Sequence, residues 1–286
     1  MKKFNLACLV LLTSSIVSAR GLLTEQPQTL GKFVFEPTLG ISARVDEFNS
    51  PAVKYKTVLV PFEARLGFTR RIDWGIGFQH AGQHLDAGST ELKGSRPLLL
   101  SSLLKWNPRE NVGLFLKWYA RSSDETNQEL PIARGNDYEF LAITQTPTRI
   151  PLFLNVGYIF KGSYSTQLGI KSGPSVRIEP GNIFQARASV ELPIKYHISV
   201  LTEAVFYQTA SKQINRQEVA DSSGDALDLI FGLTWVYKDW DLRGGFGFGM
   251  LDENLTSFDL ERGAGDAQFK FAVSYRLKPR RADKWQ

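Results

Sequence analysis

The stretch QFKFAVSYRL, residues 268–277, decides the fold of this chain. Two sets alternate along it: Phe269, Phe271, Val273, Tyr275 and Leu277 against Gln268, Lys270, Ala272, Ser274 and Arg276. Successive side chains of a β-strand point to opposite faces, so one face of this segment is wholly apolar and the other is small or polar. The segment therefore predicts a strand with its apolar face in an apolar environment.

The same alternation occurs in eleven further segments, which makes twelve predicted strands. They cover residues 33–42, 58–68, 72–79, 98–106, 112–120, 138–144, 152–160, 184–192, 198–206, 227–235 and 242–250. In this register no Asp, Glu, Lys or Arg falls on the apolar face of any strand. Alternation of this kind is typical of strands that have lipid on one side and a lumen on the other.

The connections between the predicted strands alternate between short and long. The short ones are residues 69–71, 107–111, 146–150, 193–197 and 237–241, and the long ones are 46–57, 80–97, 122–137, 161–183, 208–226 and 251–266. Bacterial outer-membrane barrels have an even number of strands, short periplasmic turns and long outer loops. We therefore predict an all-β fold, a membrane-spanning antiparallel up-and-down β-barrel of about twelve strands, with both termini periplasmic.

Aromatic residues lie near both ends of the predicted apolar faces. The short-turn end has Phe68, Trp74, Trp106, Trp235 and Tyr275, and the opposite end has Trp118, Tyr138, Phe184 and Phe206. Such girdles mark the two interfaces of a membrane.

The chain ends predict export and a simple domain organisation. Lys2 and Lys3 precede a short apolar core, and Val17-Ser18-Ala19 resembles a cleavage site, so we predict a secretory signal peptide at residues 1–19. Residues 20–32 are predicted to be a short periplasmic segment, too short for a plug domain. The barrel covers residues 33–277, and residues 278–286 form a basic tail.

Composition excludes several classes of function. The single cysteine, Cys8, lies in the predicted signal peptide, so disulfides, thiolate metal sites and cysteine nucleophiles are not expected. Three histidines are too few to favour a metal site, and no cofactor is expected. Removing Lys2 and Lys3 from the net charge of +5 leaves +3, which gives no reason to expect nucleic acid.

Charged residues on the polar phase of the strands are the candidate functional set, ten basic and eight acidic. Fourteen are predicted to line the pore: Glu36, Glu63, Arg65, Lys105, Lys117, Arg121, Glu139, Arg187, Glu191, Glu203, Asp228, Arg243, Lys270 and Arg276. The other four are Arg44, Asp46, Asp73 and Lys161. A set balanced in sign favours either a narrow mixed pore or an interior closed by ion pairs.

Four segments resemble a diverse family of outer-membrane barrels. They are RLGFTRRIDWGIGF (65–78), PLFLNVGYIF (151–160), VELPIKYHISVLTEAVF (190–206) and LDLIFGLTWVYKDWDLRGGFGFG (227–249). That family includes proteins from phenol-degradation meta-pathway gene clusters and many called transporters. The resemblance implies a barrel in the outer membrane of a Gram-negative cell, suggests a diffusion channel and supplies no catalytic residues.

The last strand also resembles the signal that outer-membrane assembly machinery recognises. Its pattern is Lys270-x-Ala272-x-x-Tyr275-x-Leu277, and nine residues follow it. The resemblance implies that the assembly machinery is a partner, together with outer-membrane lipids and lipopolysaccharide.

Three functions remain open from the sequence. We expect a passive diffusion channel for small solutes and no enzyme activity. The alternative is a closed barrel with a structural, adhesion or envelope-assembly role. A remote alternative is an outer-membrane lipid hydrolase, in which His197 would take a proton from Ser199, both being predicted to face inward.

Three residue-level expectations follow from this register. Phe231 should face lipid. Closure of the barrel should bring Glu36 and Arg276 together in the lumen. A turn centred on Lys195 should place Arg187 opposite Glu203.

Overall fold

The computed structural model describes residues 22, 24–49, 52–87, 90–121, 136–148, 150–167, 175–220, 222–252 and 267–278. The predicted signal peptide and most of the basic tail lie outside these residues. These residues contain sixteen strands: β1 (Phe35–Asn49), β2 (Ala52–Gly67), β3 (Ile72–Ala87), β4 (Thr90–Arg109), β5 (Val112–Arg121), β6 (Asp137–Gln145), β7 (Leu152–Phe160), β8 (Tyr164–Gln167), β9 (Ser175–Glu179), β10 (Ile183–Lys195), β11 (Ile198–Thr209), β12 (Gln213–Ile214), β13 (Gln217–Glu218), β14 (Gly224–Tyr237), β15 (Trp240–Asp252) and β16 (Ala267–Tyr275). Within the described part of the chain, no helix has the length and apolarity to cross a membrane.

Twelve of these strands form one closed antiparallel barrel, which confirms the predicted fold class. The order around it is β1-β16-β15-β14-β11-β10-β7-β6-β5-β4-β3-β2. Closure pairs β1 with β16, from Thr38 opposite Ser274 to Val45 opposite Ala267. A closed barrel has no free edge, so backbone groups that would be costly to expose to lipid are paired between strands.

The turns at one end of the barrel are tight, as predicted. In the turn between β10 and β11, Tyr196 and His197 have φ values of 51° and 69°. Two consecutive residues with positive φ are characteristic of the type I′ hairpin turn, whose twist matches that of the flanking strands.

At the opposite end, two of the predicted long loops are strands instead. β1 continues to Asn49, and β2 already begins at Ala52. In the same way β3 continues to Ala87, and β4 begins at Thr90. The pairing places Lys54 between Glu47 and Asp86 on the neighbouring strands. The sequence there lacks apolar alternation, which backbone pairing between strands does not require.

Two other predicted loops form a small second sheet. Its order is β13-β12-β9-β8, built from residues 164–167, 175–179, 213–214 and 217–218. Tyr164, Val176 and Ile178 form its buried apolar cluster, with Ile214 packed against them. Strands of two to five residues carry too little alternation to be recognised in the sequence.

The outer face of the barrel is an exposed apolar surface. Phe231 is 49% exposed near the middle of β14, and Phe246, its cross-strand partner on β15, is 54% exposed. The predicted girdle residues Trp74, Trp106 and Trp235 are also exposed. Exposed apolar surface of this extent requires an apolar environment.

The inner face is less uniformly polar than the sequence analysis expected. Charged residues such as Glu36 and Lys105 are fully buried inside the barrel. Two apolar clusters also point inward: Leu103, Phe115, Leu141 and Ile143, and Ile159, Ile183, Val205, Tyr207 and Ala226. Part of the lumen is therefore packed with apolar side chains.

Candidate functional site

The segment that precedes the first strand lies inside the barrel. We call Leu22 and residues 24–30 the N-terminal strap. Thr24 and Gln26 on it are each only 2% exposed, and its contacts extend across the lumen from β11 to β3. The sequence analysis expected this segment outside the barrel, in the periplasm. It was too short for a plug domain, but it is long enough to cross the lumen as extended chain.

Inward polar side chains hold the backbone of the N-terminal strap. Glu203 accepts hydrogen bonds from the backbone N–H groups of Leu22 and Thr24, both at 3.0 Å. Asn155 Oδ1 accepts one from Glu25 at 2.6 Å, and its amide donates one back to the Glu25 carbonyl at 2.8 Å. The strap belongs to no strand of the barrel, so these side chains satisfy its backbone groups instead.

The strap is also attached at the short-turn end of the barrel. Both Asp73 carboxylate oxygens accept the N–H of Leu30, at 3.0 and 2.9 Å. Asn107 donates to the Pro27 carbonyl at 2.8 Å. Gly113 leaves the space for this approach, since a Cβ there would lie 3.0 Å from Pro27 Cα.

One carboxylate of the strap forms an ion pair with the barrel wall. Arg65 donates from Nη1 to Glu25 Oε2 at 3.0 Å and from Nη2 to Oε1 at 2.6 Å. Lys105 Nζ lies 3.7 Å from Glu25 Oε2. Glu63 accepts from Arg65 Nε at 2.5 Å and from Lys117 Nζ at 2.7 Å. Four of the predicted pore-lining residues are therefore brought together around Glu25.

A second group of inward polar residues surrounds Glu139. Its carboxylate accepts hydrogen bonds from Tyr119 at 2.6 Å, Gln185 at 2.9 Å and Arg187 at 2.8 Å. Lys161 and Asp137 form a separate ion pair at 3.1 Å.

A third group lies where the barrel closes. Arg276 Nε donates to Glu36 Oε2 at 2.7 Å, which confirms the predicted contact. Arg276 is also 4.0 Å from Asp241, which accepts hydrogen bonds from Arg243. Thr234 of β14 donates a short hydrogen bond to Glu191 of β10, which lies on the far side of β11.

Arg187 and Glu203 do not lie opposite each other on β10 and β11, so that prediction was wrong. Arg187 lies opposite Val205, and Glu203 lies opposite Ser189. The turn is centred between Tyr196 and His197 rather than on Lys195, and the register shifts between Pro193 and Lys195. The result is a displacement of two positions, which leaves both side chains facing inward but changes their partners.

A cavity of about 340 Å³ with mixed polar and apolar lining lies in the lumen beside the strap. Leu22 and Glu25 of the strap line it together with the barrel wall. The charged wall residues are Arg44, Glu63, Lys117, Glu139, Arg187, Asp228 and Lys270. With Glu25, four acidic and four basic side chains face this space, which we call the lumen cavity.

The remaining candidates are placed as follows. The side chain of Arg121 lies outside the described residues. His197 is exposed in its turn, and its ring is 5.5 Å from that of Tyr237, whereas Ser199 is buried and faces inward. The expectation that both face inward was wrong, because the type I′ turn rotates His197 away. Among the described residues no three His, Cys, Asp or Glu side chains form a group that could hold a metal ion.

Sequence reasoning missed Glu25, Asn155 and Asp241 as members of these groups. The inward set of the predicted strands has two more basic than acidic residues, and this small excess is the one signal in the sequence that could have pointed to further carboxylates. Glu25 and Asp241 are two such carboxylates. Asn155 is uncharged, and no pattern in the sequence distinguishes it from other inward polar residues.

No protein-family model matches the sequence, and no curated protein is similar to it in sequence. Solved structures are similar in fold. An outer membrane channel from Pseudomonas putida F1 matches at a TM-score of 0.67 and 12% identity, over 87% of this chain and 97% of that one. The translocator domain of autotransporter NalP from Neisseria meningitidis matches at 0.58 and 11%, over 86% and 89%. The transport unit of autotransporter AIDA-I from Escherichia coli matches at 0.51 and 12%, over 96% and 97%.

The chain has the fold of an outer-membrane β-barrel. These similarities agree with the resemblance noted in the sequence as far as the barrel fold is concerned. Nothing in them connects the barrel to phenol degradation. Identity of 11–12% carries no information on which residues act.

Proposed function

We propose that this barrel is a passive diffusion channel for small solutes in the outer membrane, narrowed in the present state by the N-terminal strap. The observation that carries the proposal is the lumen cavity, about 340 Å³ in volume and lined by four acidic and four basic side chains. Eight strands enclose an interior that side chains fill, and sixteen or more leave an aqueous channel. Twelve strands leave an intermediate space, part of which the strap occupies.

The balanced charge of the lumen cavity supports a channel without a strong preference for one ion sign. Rings of a single sign select ions, whereas here acidic and basic side chains alternate around the wall. Lys117 is paired with Glu63, and Arg187 is paired with Glu139.

The proposal includes a location and partners. The exposed apolar face and its aromatic ends support contact with outer-membrane lipids and lipopolysaccharide. The short-turn end, where β1 begins and β16 ends, is proposed to face the periplasm, with assembly machinery recognising the last strand. The signal peptide at residues 1–19 belongs to the same proposal, as does the absence of enzyme activity.

A closed barrel with a structural, adhesion or assembly role is the second candidate. The inward apolar clusters and the many bonds of the strap favour it. The lipid-hydrolase alternative has no such support, since His197 and Ser199 face different sides of the wall.

Liposome swelling separates the channel from the closed barrel. Purified protein and a variant lacking residues 22–28 are reconstituted, and uptake of uncharged sugars of increasing size is followed by light scattering. If the barrel is a diffusion channel, both proteins admit the smaller sugars, and uptake is faster through the variant that lacks residues 22–28. If neither folded protein increases uptake above empty liposomes, the barrel is closed.

A further inference from the structure

The ion pair between the strap and the wall has the geometry of a ligand in a binding site. Both oxygens of the Glu25 carboxylate are held by the two terminal nitrogens of Arg65, at 2.6 and 3.0 Å. Lys105 adds a second cation at 3.7 Å. A guanidinium that engages a carboxylate through two parallel hydrogen bonds is a strong and directional arrangement.

The barrel wall holds the Arg65 guanidinium without help from the strap. Glu63 accepts from Arg65 Nε at 2.5 Å, and the Phe115 ring lies 6.0 Å from Arg65 Cζ. Gly75 gives the side chain its space, since a Cβ there would lie 3.2 Å from Arg65 Cγ. The terminal nitrogens are thus directed toward the position of the Glu25 carboxylate by residues of the barrel alone.

Lys105 is the second basic residue of the barrel wall beside the Glu25 carboxylate. It lies on β4, directly opposite Asp73 of β3 and Phe115 of β5. Its side chain is fully buried. A buried cation beside the Arg65 fork favours an anion strongly, because charges in a confined low-dielectric site are weakly screened.

We propose that Arg65 and Lys105 form a carboxylate-binding site of the lumen, which Glu25 fills in this structure and which a small carboxylic acid enters when the strap moves. This rests on the proposed channel function, because a solute reaches the site only through the lumen. Glu25 lines the lumen cavity, whereas Arg65 and Lys105 lie behind its carboxylate, so the site opens onto the cavity when Glu25 leaves. Leu59, Pro61 and Phe115 line the same cavity and provide apolar surface for a short hydrocarbon chain beside the carboxylate.

The strap and a solute would compete for the same two cations. An attached ligand acts at an effective concentration in the millimolar range when its tether is short and flexible, and the hydrogen bonds of the strap raise that value here. A free carboxylic acid therefore competes with Glu25 at millimolar or higher concentrations, and more effectively when those bonds are broken. The solute itself would then favour the open lumen.

Glu25→Ala tests the site directly, because it removes the carboxylate and keeps the backbone bonds of the strap. Binding of sodium propionate to the detergent-solubilised protein is measured by calorimetry at constant ionic strength, with propionamide as the uncharged control of the same shape. We expect Glu25→Ala to bind propionate about tenfold or more tightly than the unmodified protein, and to bind propionamide with no measurable heat.

Arg65→Met in the Glu25→Ala background should abolish that binding, and heat-dependent migration on gels shows whether the double variant is folded. Lys105→Met in the same background serves as the second test if it is not. The inference is overturned if Glu25→Ala gains no affinity for propionate, or if folded double variants retain it. Calorimetry in detergent does not require conduction, so failure of the channel in liposomes and failure of this site are separate results.

Discussion

Arg276 Nε donates a hydrogen bond to Glu36 Oε2 over 2.7 Å, and this contact joins the last strand of the barrel to the first. Arg276 follows the end of β16, and the 1% exposed Glu36 side chain lies at the start of β1. Next to this ion pair, an antiparallel backbone bridge between Phe35 and Leu277 also joins the two ends of the barrel sheet. Ring closure, which in a barrel depends on strands far apart in sequence, is thus reinforced by an inward ion pair.

A double-mutant cycle measures this closing contact. Glu36→Gln and Arg276→Met are each expected to lower the free energy of unfolding, and the two effects should be non-additive by about 0.5–3 kcal/mol, the range for residues in direct contact. The measurement is urea unfolding in lipid vesicles. Additive effects would mean that the pair does not contribute to closure.

Phe231 tests the lipid-facing register. Phe231→Arg should cost about 2–4 kcal/mol or block insertion, since a charge is placed on the lipid face near the middle of a strand. Folding into vesicles is followed by heat-dependent migration on gels. Phe231→Leu is the matched control and should insert normally. Unchanged insertion of the arginine variant would show that this face does not contact lipid.

Double-mutant cycles can compare the coupling of Arg187 to its observed partner, Glu139, with its coupling to the expected partner, Glu203. Coupling with Glu139, at 2.8 Å, should be about 0.5–3 kcal/mol in a cycle of Arg187→Met and Glu139→Gln. The matched cycle of Arg187→Met and Glu203→Gln should give a smaller value, because the observed register does not place these two residues opposite each other. Stronger coupling to Glu203 than to Glu139 would contradict the observed register and favour the one expected from the sequence, with Arg187 opposite Glu203.

Gly113 provides a way to displace the strap without deleting it. Gly113→Val places side-chain atoms against Pro27, whereas Gly82→Val, where a Cβ meets nothing within 4 Å, is the matched control. In a Gln26→Cys background, maleimide labelling should rise by about tenfold for Gly113→Val, as expected if strap attachment weakens by about 1.4 kcal/mol. Equal labelling rates in the two variants would mean that Pro27 is not held at this position.

The barrel itself could be predicted because each strand has one face in lipid. That requirement produces an alternation visible in Phe269 to Leu277 and fixes the parity of every strand. The partner of a given residue is a finer property. Arg187 was assigned to Glu203 because nothing in Pro193–His197 distinguishes a turn at Tyr196 and His197 from one centred on Lys195.

The strap could not be predicted, because its position depends on side chains from several strands at once. Glu203, Asn155 and Asp73 are far apart in sequence, and each binds backbone N–H groups, which every non-proline residue carries. A segment held in this way needs no pattern of its own. The Glu25 carboxylate, which contacts Arg65 and Lys105, corresponds to no more than the small excess of inward basic residues in the sequence.

Single-channel conductance in planar bilayers tests the central claim most directly. The full chain is compared with a variant lacking residues 22–28, in a potassium chloride gradient. The proposed channel predicts small or brief current steps for the full chain and larger, stable steps for the variant. The reversal potential of the variant should shift toward anions, because Glu25 no longer neutralises Arg65 and Lys105. Absence of current from the folded variant would contradict the channel and establish a closed barrel.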